Sequence, residues 1–255
     1  MSEKILEIKQ RADEALRLLG LTGSREQGKR LIMAGQALVR LPGEGAARLI
    51  QKPGQLLPGG AALSLKEAER FVSRGGYKLL TAIEAFGLNI GGKVCLDAGA
   101  STGGFTDCLL QHGAARVYAV DVGTAQLDQR LRADARVISL EKTNLRYAPP
   151  ELIPEPVDLV TADVSFISLT LVLPACLHFL RCPGLLICLI KPQFELEPRE
   201  VKGGVVRDVA LQQKAVDKIV NFCVESLGLR HAGTTPARIK GPKGNQEYLA
   251  VFRRD

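Results

Sequence analysis

The sequence predicts an α/β protein with a mainly parallel, doubly wound sheet, preceded by a small α+β domain. In the larger, carboxyl-terminal part, short apolar runs alternate with helical runs, a pattern typical of parallel sheets covered by helices on both faces. In the amino-terminal part the apolar runs are shorter, and Gly and Pro turns separate them. We therefore divide the chain into a first domain at residues 1–66, a linker at 67–75 and a second domain at 76–255.

The composition is typical of a soluble globular protein, since 46% of the 255 residues are hydrophobic and 24% are charged. The first residues, MSEKILEIKQ, are charged throughout and do not resemble a signal peptide. The longest apolar run, LTLVLPACLHFL, is too short to span a bilayer and contains Pro174 and His178. We expect a cytoplasmic protein with no membrane partner.

The cysteines predict neither a metal site nor a disulfide. There are six, none forms a C-x-x-C pair, and most lie in apolar runs such as LLICLI. A thiol in such a run behaves as a small hydrophobic side chain. We expect reduced thiols in the core and no bound metal.

Two short helices and several short strands are predicted in the first domain. The first helix, in RADEALRLLGL, is expected to bury a face formed by Ala15, Leu16, Leu18 and Leu19. Ser24 is expected to cap the second helix, SREQGKRLIMAG, whose buried side would be formed by Leu31, Ile32 and Met33. Strands are predicted in QALVRL, around ARLIQKPGQ and in AALSL.

Basic residues are concentrated in this part of the chain. Residues 1–74 hold 13 Lys and Arg against 8 Asp and Glu, a net charge of +5 of the total +7. The candidate cations for binding nucleic acid are Arg11, Arg25, Lys29 and Arg30. Helical spacing gathers the last three on one flank, where they can contact phosphates. The alternative is a solvated helix face, and the pattern alone does not decide between the two.

A strand, a glycine-rich turn and a helix begin the sheet of the second domain. The strand KVCLD runs into AGASTGGFTDCLLQHG, where Gly99, Gly103 and Gly104 allow a ligand to approach the backbone. The next strand, RVYAVD, ends at Asp121, where a carboxylate can accept hydrogen bonds from ribose hydroxyls. This arrangement predicts a site for a cofactor that contains a nucleoside.

Two details favour S-adenosylmethionine over a dinucleotide. Asp97 ends the first strand directly before the glycines, where a pyrophosphate would be repelled and a cationic cofactor tolerated. The loop also reads G-A-S-T-G-G rather than G-x-G-x-x-G. A dinucleotide-dependent oxidoreductase is therefore the less favoured interpretation.

Further strands alternate with helices along the rest of the chain. They are predicted in ARVISL, VDLVTADVSF and GLLICLIKPQF, and RHAGTTPARI and QEYLAVFRR are expected to pair as a hairpin at the sheet edge. Asp163 and Lys191 each follow a buried strand, at the edge where such sheets bind ligands. Each is either a functional residue or half of an ion pair.

Six segments, in order, resemble the TlyA family, whose members are often labelled hemolysins and are related to the FtsJ-like ribose methyltransferases. They are VSRGGYKL, CLDAGASTGGFTDCLL, ADVSFISL, IKPQFE, KGGVVRD and GPKGNQEYL. The first domain resembles the alpha-L RNA-binding fold, although its segment LPGEGAARLIQ departs from the tight turn of that fold. The resemblance implies a Rossmann-like, S-adenosylmethionine-dependent methyltransferase domain behind an RNA-binding domain. It further implies methylation of ribose 2′-hydroxyls, typically of cytidines, with ribosomal RNA or ribosomal subunits as partners.

The resemblance also implies a set of site residues. The FtsJ-type catalytic tetrad falls on Lys78, Asp163, Lys191 and Glu247. The cofactor motif falls on Asp97, Gly99, Ser101, Gly103 and Asp121, and it places Asn144 near the adenine. Gly104, from the loop itself, completes the cofactor-binding candidates. In the linker, Phe71 stands where the family more often has a tryptophan.

Such a tetrad suits the chemistry of a ribose hydroxyl, a weak acid that must lose its proton as it attacks a sulfonium methyl group. A lysine can be the base only if its pKa falls from about 10.4 towards roughly 7, and a neighbouring cation and partial burial act in that direction. We expect Lys191 to be the base, Lys78 to hold the ribose or a phosphate, and the two acids to position the lysines. The sequence does not decide which lysine is the base.

Two other functions compete with this interpretation. A non-enzymatic RNA-binding or ribosome-assembly factor would not need two lysines interleaved with two acids. A membrane-lysing hemolysin would need an amphipathic or apolar insertion segment, and the sequence offers none.

Overall fold

The computed structural model describes residues 3–66 and 69–255. The chain divides into two compact units, Met1–Glu69 and Arg70–Asp255. Residues 1 and 2 of the predicted first domain, and residues 67 and 68 of the predicted linker, lie outside the described residues.

The first unit combines two helices with short strands. In chain order its elements are β1 (Lys4–Ile5), β2 (Gln10–Arg11), α1 (Ala12–Leu18), α2 (Arg25–Met33), β3 (Ala37–Arg40), β4 (Arg48–Leu49), β5 (Leu56–Leu57) and β6 (Ala62–Leu65). An antiparallel sheet has the strand order β1-β6-β3-β4, and β2 and β5 form a separate antiparallel pair. The predicted strands in QALVRL and AALSL correspond to β3 and β6.

The helix α2 begins and packs as its sequence dictates. The Ser24 hydroxyl accepts a hydrogen bond of 3.1 Å from the backbone N–H of Gln27, which is the predicted N-cap. Gly28 faces α1 so closely that a Cβ atom would lie 2.8 Å from the carbonyl oxygen of Asp13. A glycine at this position therefore allows the two helices to approach each other.

The buried faces of both helices are narrower than predicted. In α1, Ala15 and Leu16 are buried, but Leu18 is 52% exposed. In α2, Ile32 is buried, but Met33 is 74% exposed. The predictions for Leu18 and Met33 are wrong because each of these short helices has one narrow buried face, and both side chains project away from it.

The second unit is a layered α/β structure. In chain order its main elements are α3 (Gly75–Phe86), β7 (Val94–Ala98), α4 (Gly104–Gln111), β8 (Arg116–Val120), α5 (Gln129–Arg132), β9 (Val137–Leu140), β10 (Val157–Ala162), α6 (Leu169–Phe179), β11 (Leu180–Ile190), α7 (Pro192–Glu195), α8 (Val209–Asn221), β12 (Arg230–Pro236) and β13 (Tyr248–Arg254). Its seven-stranded sheet has the order β12-β13-β11-β10-β7-β8-β9. The five strands from β11 to β9 are parallel, whereas β13 is antiparallel to β11 and to β12. The predicted hairpin at the sheet edge is thus confirmed.

Helices cover both faces of this sheet because its strands are apolar on both. In β7, Cys95 packs in the core formed with α3 and α4, and the next residue, Leu96, packs in the core formed with α6 and α8. The fold is therefore the predicted doubly wound α/β sheet. It brings the carboxyl ends of β7, β8, β10 and β11 to one edge.

The cysteines contribute to these cores. All six are free thiols, and five are buried, the exception being Cys182. Burial raises the pKa of the Cys176 thiol to about 12, so it stays protonated at neutral pH. Within residues 3–66 and 69–255, no group of three or more His, Cys, Asp or Glu side chains is placed to hold a metal ion. Over the same residues, no helix is long and apolar enough to cross a membrane.

Candidate active site

The charged candidates of the second unit lie at the carboxyl edge of the parallel strands. Asp121 directly follows β8, Asp163 follows β10 and Lys191 follows β11. The backbone N–H of Asp163 donates a 2.9 Å hydrogen bond to the carbonyl oxygen of Ala98 at the end of β7. The parallel register therefore fixes where these side chains start.

The larger of the two main cavities at this edge has a volume of about 510 Å³ and a size suited to a nucleoside cofactor. Gly99, Ser101, Asp121 and Asn144 are among the residues that line it. The Asp121 carboxylate accepts hydrogen bonds from the backbone N–H groups of Ser101 and Gly123, at 2.8 and 2.7 Å. Each oxygen keeps a further lone pair, so this carboxylate can also accept hydrogen bonds from ribose hydroxyls.

The glycine-rich turn brings the backbone against the neighbouring strand end. Gly99 has a φ of +84°, and a Cβ atom there would lie 2.6 Å from the carbonyl oxygen of Asp163. A larger residue would push apart the two segments that line the cavity. Gly103, also at positive φ, lines neither cavity, and a Cβ there would lie 2.3 Å from a methyl carbon of Leu131. Gly103 thus serves close packing beneath the turn, while Gly104 lines the smaller cavity.

Asp97 lies below the turn and lines neither cavity. Its side chain is fully buried, and its carboxylate accepts hydrogen bonds from the hydroxyls of Thr106 (2.7 Å) and Thr161 (2.9 Å). Burial raises the pKa of this carboxyl to about 6, although the two hydroxyl hydrogen bonds oppose the increase. Asp97 therefore lies in the interior beneath the turn, and its side chain is not part of the wall of either cavity.

A smaller cavity of about 190 Å³ holds the two lysines of the tetrad. Lys78 and Lys191 line it together with Asp163, and the walls of both cavities share Gly99, Ser101, Asp163 and Ser165. The amine of Lys191 lies 2.6 Å from Oδ1 of Asp163. A substrate in the smaller cavity would therefore lie beside a ligand in the larger one.

The fourth tetrad member lies behind the cavity rather than in its wall. Glu247 is fully buried, and its Oε2 lies 2.5 Å from the amine of Lys78. Gly241 packs against this carboxylate, and a Cβ at that position would lie 2.0 Å from Oε1 of Glu247. The fold therefore encloses Glu247 between Lys78 and the backbone of Gly241. All four members are brought together as two amine–carboxylate pairs.

The candidate RNA-binding cations of the first unit differ in their surroundings. The guanidinium groups of Arg11 and Arg25 both donate to the buried carboxylate of Asp13, at 2.9 and 3.1 Å. Hydrogen bonding from Arg11 is the main reason why the pKa of Asp13 is lowered. Lys29 and Arg30 are exposed and form no ion pair within the described residues. Two of the four cations are thus tied to the fold, and two are open to solvent.

Sequence reasoning did not single out Ser165 or Phe166. The Ser165 hydroxyl accepts a 2.8 Å hydrogen bond from the amine of Lys191. Phe166 lines the larger cavity, is 90% exposed and has a φ of +64°, which is an unusual backbone conformation for a bulky residue. Their signal was the segment ADVSF itself, because residues next to Asp163 at a strand end lie at the same edge.

Comparisons with known proteins agree with this geometry. The family model described as FtsJ-like methyltransferase matches residues 71–254. The "16S/23S rRNA (cytidine-2'-O)-methyltransferase TlyA" of Mycobacterium tuberculosis is 45% identical over 246 residues, which span 95% of this chain and 89% of that protein. The protein named "Hemolysin A" of Brachyspira hyodysenteriae is 39% identical over 244 residues, spanning 95% of this chain and 99% of that protein.

Solved structures show the same fold. The structure of a putative hemolysin from Streptococcus thermophilus has a TM-score of 0.72 and 42% identity, covering 97% of this chain and 89% of that one. Fibrillarin from Aeropyrum pernix has a TM-score of 0.51 and 16% identity, covering 84% of this chain and 97% of that one. At that identity the likeness concerns the fold alone.

Proposed function

The chain belongs to the FtsJ-like methyltransferase family, and from that premise we propose that it transfers a methyl group from S-adenosylmethionine to a ribose 2′-hydroxyl of ribosomal RNA, on a cytidine. One observation carries the proposal. Two amine–carboxylate pairs, Lys78–Glu247 and Lys191–Asp163, converge at a small cavity that shares a wall with a cavity of cofactor size. The substrate class is supported by the relatives, since the M. tuberculosis protein is named as an rRNA cytidine 2′-O-methyltransferase.

S-adenosylmethionine fits the larger cavity by the chemistry of its lining. When bound, it would supply an electrophilic methyl group on a sulfonium. The Asp121 carboxylate is oriented by two backbone N–H groups and lines the cavity, where it can bind ribose hydroxyls. Asn144 lines the same cavity and can bind the adenine. Gly99 allows the turn to pack against the carbonyl oxygen of Asp163, and both residues line the cavity.

The smaller cavity is proposed to receive the target ribose. As the 2′-oxygen bonds to the methyl carbon, the carbon–sulfur bond breaks and the 2′-hydroxyl proton moves to the amine of Lys191. Asp163 holds that amine at 2.6 Å and balances the positive charge it gains. Lys78, held by Glu247, lines the same cavity and is placed to hold the ribose or the adjoining phosphate. Alignment of the 2′-oxygen with the methyl group would supply much of the acceleration.

The first unit is proposed to bind RNA. Its exposed cations Lys29 and Arg30 are open to phosphates, while Arg11 and Arg25 contribute positive charge from positions fixed by Asp13. Phosphate contacts of this kind position a nucleic acid without reading its sequence.

The decisive experiment maps ribose methylation in ribosomal RNA by mass spectrometry, in cells with and without the gene. The expected result is one or more cytidine 2′-O-methyl groups present only with the gene, and restored by the wild-type protein but not by Lys191→Ala. The purified protein should add the same group to ribosomal subunits or RNA from the deletion strain. Identical methylation maps in the two strains, with no transfer by the purified protein, would reject the function.

A further inference from the structure

The second contact of the Lys191 amine comes from Ser165. The hydroxyl oxygen of Ser165 accepts a 2.8 Å hydrogen bond from Nζ of Lys191, and Oδ1 of Asp163 lies 2.6 Å from the same nitrogen. Lys191 is buried, with only 7% of its surface exposed to solvent. The amine is therefore held from two directions in a site with little room for the side chain to move.

Both of these acceptors belong to one short segment that is fixed to the sheet. Asp163 and Ser165 follow β10 directly, and the backbone N–H of Asp163 is bonded to the carbonyl oxygen of Ala98 in β7. Phe166 comes next with its φ of +64°, so the chain turns sharply immediately after Ser165. The position of Asp163 is thus set by the sheet, and Ser165 follows two residues later in the same segment.

The geometry of an amine explains why two acceptors matter. A neutral lysine has two N–H bonds and one lone pair in roughly tetrahedral directions. If one N–H bond points to Ser165 and the other lies on the side of the Asp163 carboxylate, the lone pair is left with the remaining direction, in which it can face the cavity that Lys191 lines. With a single acceptor, the amine can rotate about its Cε–Nζ bond, and the lone pair is not directed.

We infer that Ser165 is a positioning residue that aims the lone pair of Lys191 at the ribose 2′-hydroxyl. The inference deepens the proposed function and rests on it. In the step, the 2′-hydroxyl proton moves to Nζ, the oxygen–carbon bond forms and the carbon–sulfur bond breaks. Ser165 exchanges no proton, and it belongs to the wall that the two cavities share.

The test compares Ser165→Ala, which removes the hydroxyl, with Ser165→Thr, which keeps one, and with Ser226→Ala as a control at an exposed serine beyond α8. Methyl transfer from labelled S-adenosylmethionine to ribosomal RNA gives kcat and both KM values. For Ser165→Ala we expect kcat to fall roughly 10- to 100-fold, with both KM values within about twofold of wild type, because an acceleration by orientation is lost while binding remains. Ser165→Thr should recover most of kcat, and Ser226→Ala should match wild type.

A second measurement does not depend on turnover. The ¹⁵N relaxation of the Lys191 amine, with lysine labelled at Nζ, should show faster local motion in Ser165→Ala than in wild type. A wild-type kcat in Ser165→Ala overturns the inference while leaving the function intact, since wild type is active in the same assay. A loss of S-adenosylmethionine affinity without change in kcat, or unchanged amine motion, also overturns it. Failure of wild type itself to methylate RNA rejects the proposed function instead.

Discussion

The two amine–carboxylate pairs of the site look alike in sequence but differ in their surroundings. In the pair Lys78–Glu247 the carboxylate is fully buried and closed off by the backbone of Gly241. In the pair Lys191–Asp163 the carboxylate is 19% exposed and lines both cavities. Both lysines line the smaller cavity, but the carboxylate of the first pair belongs to the protein interior and that of the second to the cavity wall.

This difference indicates that the two pairs of the tetrad have different roles, one in stability and one at the reacting atoms. A buried charge without an opposite charge beside it destabilises the folded state. The main role of Glu247 is therefore to neutralise Lys78 and to hold its amine in place. A charge at a cavity keeps access to a ligand, so Asp163 and Lys191 can act on the reacting atoms. The same contrast appears in the cofactor region between buried Asp97 and cavity-lining Asp121, and in the first unit between Arg25 and Lys29.

The largest effect is expected from Lys191→Ala. The variant loses the proposed base and leaves Asp163 without its cation, so the rate of methyl transfer should fall roughly 10⁴-fold. Affinity for S-adenosylmethionine should stay near the wild-type value, because Lys191 does not line the larger cavity. Rates come from single-turnover methylation and affinity from calorimetry. A rate near that of wild type would show that the open pair is not the catalytic one.

The next effect concerns stability. Glu247→Gln keeps the shape of the side chain but leaves the largely buried Lys78 without a countercharge. The free energy of unfolding should fall by about 3 to 5 kcal/mol. Asp163→Asn should cost less, because the carboxylate it replaces is 19% exposed at the cavities whereas that of Glu247 is fully buried. Urea unfolding followed by circular dichroism measures both. Equal losses in the two variants would contradict the distinction between an interior pair and a cavity pair.

The sequence correctly predicted which charged residues lie at the carboxyl edge of the sheet, but it did not predict which side chains contact each other there. Residues after parallel strands must share one edge, so Asp121, Asp163 and Lys191 could be placed together from the strand pattern alone. Which acid meets which lysine was not predictable, because the contact of Lys78 with Glu247 depends on how α3 packs against β13. Pattern reasoning had to leave that choice open.

Other side chains were also placed wrongly or overlooked because their positions depend on tertiary contacts. Asp97 was expected at the cofactor, but it lies within β7 rather than after it, and its side chain turns into the interior towards Thr106 and Thr161. Leu18 and Met33 were expected in the core, but helices this short have a single narrow buried face. Ser165 was overlooked because the segment ADVSF places it at the edge of the sheet but does not show which side chain its hydroxyl contacts. Tertiary contacts decide all three cases.

The burial of the Asp97 carboxyl group should make the stability of the protein depend on pH. The pKa of Asp97 is about 6 in the fold against an ordinary 3.8, so between pH 4 and 6 the folded state holds a proton that the unfolded state has lost. Unfolding releases that proton, so stability falls as the pH rises through this window, by about 3 kcal/mol in all. Above pH 6 the contribution is constant. In contrast with Glu247, Asp97 forms no ion pair with a lysine among residues 3–66 and 69–255.

Asp97→Asn tests this assignment because an amide has no charge to bury. The variant should be more stable than wild type at pH 7, by up to about 3 kcal/mol, and the difference should vanish towards pH 4. Chemical unfolding at several pH values measures it, and subtracting the two curves removes the titration of all other acids. A variant that is less stable than wild type at pH 7 would assign the carboxylate an essential structural charge instead.

The smallest effect is expected among the cations of the first unit. Lys29 is exposed and has no ion-pair partner in the part of the chain that the structure describes, so Lys29→Ala should remove about one phosphate contact. The slope of log affinity for RNA against log salt should then become shallower by roughly 0.7 to 0.9. Arg25 is bound to Asp13, so Arg25→Ala should change that slope less and lower the stability of the unit instead. Filter binding across a salt series and thermal unfolding of both variants give the two readouts. Equal changes in slope would mean that the ion pair with Asp13 does not withhold Arg25 from RNA, and the contrast between tied and open charges would then hold only at the active site.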